Sequence, residues 1–371
     1  MTSRERMLAA IARQQPDHVP LCFLRCQPLE GAYDRLGAVE RLLELGLDAR
    51  IKLPWPVEVK PSVEIREWKD TTSHPRYPLL HKEYHTAAGV LRTVVRQTAD
   101  WETGDSVPLL SDLNVSRAVE HLVKGPQDLD KLRALLCYPG DLDLTPLHDE
   151  AAQVRSFAQQ RQVLVEGWGG NGADMLAWLS GIEPIALAVM DEPDFVREYV
   201  DLIRQWDLAW IEVTLDWGAD LLARRGWYET PPLWSPAQFQ EFIAPMLKEE
   251  IDLAHQGGAS ICHLTSVGLD PVAPIMADLG LDVMFGVEPT QAKSDLRWLK
   301  QQVGHRLCFW GGVNAPVVIE KGTPQQVRAA TRHALESLGP DGFILSSVDS
   351  VRDPGVHENV QAMIEEWRAL A

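Results

Sequence analysis

The sequence predicts a (β/α)8 barrel with an N-terminal α/β extension, on three observations. Short apolar strands alternate with helical segments from about residue 150 onward: strands at 163–168, 220–224, 259–263, 282–287, 307–311 and 342–347, helices at 195–214, 236–255, 271–279, 294–302 and 324–338. Such alternation implies a parallel sheet, and six strands plus one or two earlier ones reach eight. Second, helices open on sound start signals: Ser235-Pro236 and Thr323-Pro324 place a cap residue before a proline at the first helical position. Third, the segment Ile261-Cys262-His263-Leu264-Thr265-Ser266 is an apolar strand ending in a histidine between two helices. In such barrels the C-terminal strand ends carry the chemistry, so His263 stands where a metal ligand or proton-transfer group belongs. A doubly wound sheet would want a glycine-rich phosphate loop after its first strand. The cluster Gly167-Trp168-Gly169-Gly170-Asn171-Gly172 matches neither the dinucleotide fingerprint nor the P-loop.

Earlier elements follow in order. A charged amphipathic helix at 3–13 precedes an apolar strand at 19–24 and a helix at 38–45. Residues 50–105 read as a β-rich insertion near the barrel mouth within one domain spanning 1–371. Residues 63–68 alternate apolar and charged, as a half-exposed strand does, and are expected to pair with 89–95. Helices at 115–123 and 128–136 lead back to the main body.

The 371 residues, 45% hydrophobic and 24% charged, suffice for one large barrel with insertions. A net charge of −18 argues against an extended nucleic-acid face, which needs clustered lysine and arginine. The cysteines Cys22, Cys26, Cys137, Cys262 and Cys308 show no paired CxxC spacing, so neither a zinc ribbon nor a disulfide framework is indicated, and core packing is the expected role of Cys22 and Cys26. The N-terminus lacks the apolar stretch of a signal peptide, and no run reaches membrane-spanning length, so a cytoplasmic location is expected. Apolar surface on the insertion would support a homodimer. Trp55, Trp68 and Trp101 lie in that insertion, where they would lid the cavity, form a partner surface or fill the core of a small sheet.

Several strand ends carry further candidates. Glu166 ends an apolar strand, where it would either point into the cleft or pair with an arginine; Trp168 would line the wall. In Arg224-Arg225-Gly226-Trp227-Tyr228-Glu229, adjacent arginines point to opposite sides, so one of the two would bind substrate. Trp227 and Tyr228 offer aromatic surface, and Glu229 would either ligate a metal or pair with that arginine. Glu288 precedes Pro289, which holds it extended and would aim its carboxylate as a catalytic group. Trp310-Gly311-Gly312-Val313-Asn314 combines a wall residue, glycines that permit close backbone approach, and an amide for substrate.

An ordered set of segments resembles the uroporphyrinogen decarboxylase superfamily. It runs from Thr2-Ser3-Arg4-Glu5-Arg6 and Asp17-His18-Val19-Pro20 through Ser235-Pro236, Phe239, Phe242 and Pro245-Met246-Leu247-Lys248. It continues with His263, Asp282, Glu288-Pro289, Gly311-Gly312-Val313, Gly322-Thr323-Pro324 and Gly342-Phe343-Ile344-Leu345. The resemblance implies a (β/α)8 barrel with its active site in the C-terminal cleft. True decarboxylases of the family carry an Arg-Gln-Ala-Gly-Arg-Tyr motif whose arginines meet substrate carboxylates. Here the region reads Phe23-Leu24-Arg25-Cys26-Gln27-Pro28, and Arg25 alone remains. The chain is more similar to the branch whose members move methyl groups to or from a corrinoid.

That branch usually binds zinc through His-x-Cys and a later cysteine. Thr265 stands at the first cysteine position and Asp349 at or near the second. With those replacements, a metal site of His263 and Asp349 with Glu229, Glu288 being the other candidate, would be harder and more Lewis-acidic, which on chemical grounds suits an oxygen substrate. The leading expectation is a zinc-assisted methyltransferase between a small O-methyl compound and a corrinoid supplied by a partner protein, with His263, Glu166, Glu288 and Asp349 as catalytic groups. A decarboxylase of a porphyrinogen or other carboxylated compound, binding through Arg25, Arg224 and Arg225, is the alternative; a non-catalytic ligand-binding barrel is the second.

Overall fold

The computed structural model describes residues 1–31, 33–74, 76–265 and 267–370. Ser266, the last residue of the His263 segment, lies outside them. The chain divides into two compact units.

The first unit comprises Met1–Pro54, Pro146–Gly170 and Thr214–Ala371. Its centre is a parallel sheet in the order Arg50–Lys52, Leu164–Trp168, Leu221–Arg225, Ser260–Leu264, Val283–Val287, Cys308–Asn314, Phe343–Val348. The sheet closes through residues 20–22. Leu345 N donates to Pro20 O (2.8 Å), Cys22 N to Leu345 O (3.0 Å), and Asp48 N to Leu21 O (3.0 Å). The expected strand at 19–24 is therefore this short bridging segment, completing an eight-membered α/β barrel. The six later strands lie where the alternation of segments places them. Arg50–Lys52 escaped notice, being three residues long and two of them cationic.

Capping follows the sequence. Ser235 and Thr323 each accept from the amide three residues on (3.3 Å), while Gln238 and Gln326 reach back to the cap amides (2.9 and 2.8 Å). Gly312, at φ 107°, lets the strand Cys308–Asn314 approach its helix: a Cβ there would lie 2.6 Å from that of Ala334.

Strand alternation sorts the barrel's side chains. Cys22, Leu164, Leu221, Cys262, Val283, Phe285, Cys308, Trp310 and Ile344 form one buried cluster with Met7, Ala10 and Ile11 of the N-terminal helix. Residues from that many strands meet only in the barrel lumen. By period two, Glu166 and Arg225 share the inward face, and Arg224 and His263 face outward toward the helices. Burial pushes the thiols of Cys22 and Cys308 up to about 12, as fits packing groups.

The second unit comprises Trp55–Thr145 and Asn171–Val213. It holds an antiparallel sheet ordered Glu64–Asp70, Leu79–Thr86, Gly89–Arg96, Ala118–Glu120. The expected direct pairing of 63–68 with 89–95 is corrected: Leu79–Thr86 lies between them and pairs with both. The expected helix at 115–123 is also corrected, to a single turn at Asp112–Val115 followed by the strand Ala118–Glu120. β-branched Val119 and Val123 favour the extended form after that turn. Trp101 packs with Leu80, Val95 and Val107, whereas Trp55 and Trp68 stay about 40% exposed. Trp206 and Trp210 both donate to the Cys137 carbonyl, at 2.7 and 2.9 Å. No helix among the described residues is long and apolar enough to cross a membrane.

Candidate active site in the barrel lumen

The lumen holds a buried ion cluster that the sequence reading only half anticipated. Glu166, 5% exposed, is ion-paired with Arg50 on the adjacent strand and lies 3.6 Å from the Lys52 ammonium. Arg50 also donates to the carbonyls of Phe23 (2.8 Å) and Leu24 (3.0 Å), and its guanidinium lies 4.9 Å over the Trp310 ring. That position combines charge pairing, hydrogen bonding and a cation–π contact in one residue. Burial works most strongly against the Arg50 cation, but Glu166 together with the neighbouring Cys22 and Cys262 outweighs it and holds its pKa above the ordinary value. Glu166 draws the Lys52 ammonium's pKa up; burial and repulsion from Arg50 and Arg225 draw it down further, and the net displacement is downward. Its side chain is 42% exposed.

An aromatic file leads away from this cluster. Trp310 donates to Cys22 O (2.9 Å) and meets Phe285 edge-on at 5.8 Å; Phe285 meets Trp227 edge-on at 6.1 Å. Trp168, on the inward face beside Ala223 and Cys262, belongs to the same wall. Arg50 and Lys52 are the residues that the sequence reading missed. The one available signal was Arg-Ile-Lys, an apolar residue between two cations, which reads equally well as surface.

The other expected site residues lie elsewhere. The expectation that His263 faces the cleft is corrected: it is fully buried on the outer side of its strand. Its Nε2 lies 2.9 Å from Glu229 Oε2; Glu229 is ion-paired with Arg224, whose Nε donates to Glu250 Oε2 (2.7 Å). Burial pushes the His263 pKa down despite Glu229, so the neutral ring donates its Nε2 proton to that carboxylate. Burial raises the carboxyl of Glu229, but Arg224 and His263 together lower it below the ordinary value. Among the described residues, Glu250 is paired with Arg224 and repelled by Glu229 and Glu249, and burial pushes it up to about 7.

Glu288 turns back on its own loop. Its oxygens accept from the amides of Thr290 (2.6 Å), Gln291 (2.8 Å) and Ala292 (2.5 Å). Asn314 caps the following turn, accepting from Val317 N (2.8 Å) and donating to Gln291 Oε1 (2.8 Å). Both residues therefore brace loops, where aim at substrate was expected. Tyr228 sits in the 226–229 turn, its carbonyl accepting from Trp234 Nε1 at 3.0 Å.

The metal expectation is tested by these donors. Nδ1 of His263 has no hydrogen-bond partner, but an ion there needs further ligands. Glu229 lies behind Nε2 and is neutralised by Arg224. The Asp349 side chain is 50% exposed, and its Oδ1 accepts from Ser350 N at 2.6 Å. Among the described residues, no three His, Cys, Asp or Glu side chains group to hold an ion. His263, Glu229 and Asp349 do not fit the zinc that the resemblance implied.

Comparison with known proteins agrees with the fold. A methyltransferase from Methanosarcina mazei is similar over 100% of this chain and 99% of its own, with TM-score 0.63 at 19% identity. A B12-independent methionine synthase from Shewanella sp. W3-18-1 covers 60% of this chain and 64% of its own, with TM-score 0.38 at 12% identity, a likeness too low to carry an argument. Among curated proteins, none matches the chain in sequence. The family model described as Uroporphyrinogen decarboxylase (URO-D) matches residues 148–370, well over half of the chain. The chain belongs to the uroporphyrinogen decarboxylase family.

Proposed function

We propose that this enzyme transfers a methyl group between a small O-methylated compound and a corrinoid carried by a separate protein. The observation that carries the reading is the Arg50–Glu166–Lys52 cluster inside the lumen, beside the face of Trp310. Removing a methyl group from oxygen leaves the bond's electron pair on that oxygen, which then needs a proton or a cation. Lys52, partly exposed and with a lowered pKa, is placed to give that proton, and Glu166 holds it in position. The corrinoid, as co-substrate, supplies the nucleophile that takes the methyl carbon. Trp227, partly buried and backed edge-on by the packed Phe285 and Trp310, offers an aromatic surface for a planar methyl ether.

A second reading has its own support. Arg50, Lys52 and Arg225 lie within electrostatic reach of one another on the inward face, and cations there also suit a carboxylated substrate. Lys52 would then protonate the carbon that loses carbon dioxide.

The test is a panel of aromatic and aliphatic methyl ethers, incubated with the protein and a reduced corrinoid protein, with the demethylated product measured by chromatography. The expected result is corrinoid-dependent demethylation that falls by about 10²-fold or more in Lys52→Met. Carbon dioxide release from a carboxylated tetrapyrrole, with no ether cleaved, would move the function to the second reading.

A further inference from the structure

We infer that His263, Glu229, Arg224 and Glu250 form a positioning device that fixes Trp227 against the lumen wall. This inference rests on the lumen being the active site. All four side chains are fully buried on the outer side of the barrel strands. Arg224 and His263 sit in register on neighbouring strands, Glu250 comes from the helix Ala244–Gln256, and Glu229 ends the turn after Arg225. Arg224 spans the group: it pairs with Glu229, donates to Glu250 at 2.7 Å, and gives a third hydrogen bond to the Arg225 carbonyl at 2.8 Å. His263 holds Glu229 from the other side at 2.9 Å. The turn is thereby clamped at both ends, at Arg225 and at Glu229.

Between those clamps lie Gly226 and Trp227. Gly226 packs directly under the imidazole: a Cβ there would fall 2.3 Å from His263 Cε1 and Nε2. The His263 ring therefore sets the height of the turn as well as anchoring its last residue. Trp227 leaves this turn toward the lumen, where its ring meets Phe285 edge-on at 6.1 Å and so joins the file that ends at Trp310 and Arg50. A shift of the turn moves the far wall of the substrate space without touching Lys52 or Glu166. Two of the expected zinc donors, His263 and Glu229, are in this chain parts of a scaffold for an aromatic wall residue.

The test compares wild type with His263→Ala, His263→Gln, Gly226→Ala and Trp227→Phe. The difference in near-ultraviolet circular dichroism between wild type and Trp227→Phe defines the signal of the packed Trp227 ring. His263→Ala and Gly226→Ala are expected to lose most of that signal. His263→Gln, which still donates to Glu229, is expected to recover at least half of it. Zinc bound after incubation and desalting is expected to be the same in all five proteins. Where a methylated substrate is turned over, kcat/KM in His263→Ala falls by about 10²-fold, mostly through KM. Stoichiometric zinc in wild type that disappears in His263→Ala would overturn the inference, as would an unchanged Trp227 signal in a folded His263→Ala or Gly226→Ala. Neither optical nor metal readout needs the reaction, so failure of the methyl-transfer reading is seen separately.

Discussion

Removing the Glu166 carboxylate tests how the lumen carries its charge. Arg50 and Glu166 have side chains only 4% and 6% exposed, and a guanidinium stays charged at any relevant pH. Glu166→Leu leaves that cation without its carboxylate, with Lys52 still nearby to repel it. Losing one partner of a buried pair costs about 3–5 kcal/mol. Arg50→Met leaves Glu166 with the Lys52 ammonium at 3.6 Å, so its charge penalty is smaller, but it also orphans the carbonyls of Phe23 and Leu24, at about 1–3 kcal/mol each. The double variant removes both members of the buried pair and leaves only the partly exposed Lys52 without its carboxylate, so it should be more stable than the sum of the two losses by at least ~2 kcal/mol. Because the chain has two compact units, the assay must report on the barrel alone. Native-state hydrogen exchange of peptides covering Arg50–Lys52 and Leu164–Trp168 does so. A Glu166→Leu loss below about 1 kcal/mol, or additive losses in the double variant, would refute the reasoning.

Two further outcomes follow from buried polar groups. Glu250 keeps its proton to about pH 7 in the folded protein against an ordinary value of 4.5. Its contribution is therefore fully present below 4.5 and is lost as pH rises through that window, by up to about 3 kcal/mol. Stability measured from pH 5 to 8 should fall more steeply in wild type than in Glu250→Gln; parallel slopes would contradict this. In the second unit, Trp206 and Trp210 share one acceptor, the Cys137 carbonyl. Each Trp→Phe change leaves one donor in place, whereas the double change strands the carbonyl, so denaturant unfolding should show a double loss exceeding the sum by about 1 kcal/mol or more.

The barrel was legible because its later strands are continuous apolar runs set between helices with proline-marked starts. The same property hid the site. A parallel barrel strand is buried on both faces, so Ile261-Cys262-His263-Leu264 reads the same whichever way the histidine points. Its direction depends on a one-residue register that only the partners reveal: Cys262 and Leu264 pack in the lumen, and His263 meets Glu229. Arg50 and Lys52 were unreadable for the opposite reason, since cations inside a barrel violate the ordinary hydrophobic pattern. Their burial is intelligible only beside Glu166, more than a hundred residues away in sequence. The middle strand Leu79–Thr86 was missed because His81, Lys82, Glu83 and His85 mask its alternation; Lys82 is buried with its ammonium donating to Val107 O at 2.6 Å.

The proposed function puts the chemistry at the lumen cluster and not at His263. Single-turnover demethylation of a methyl ether, with excess enzyme and reduced corrinoid protein, tests it most directly in Lys52→Met beside His263→Gln. The chemical step is expected to slow by about 10²-fold or more in Lys52→Met and to change by less than about 5-fold in His263→Gln once substrate is saturating. A chemical step that survives in Lys52→Met and collapses in His263→Gln would contradict it.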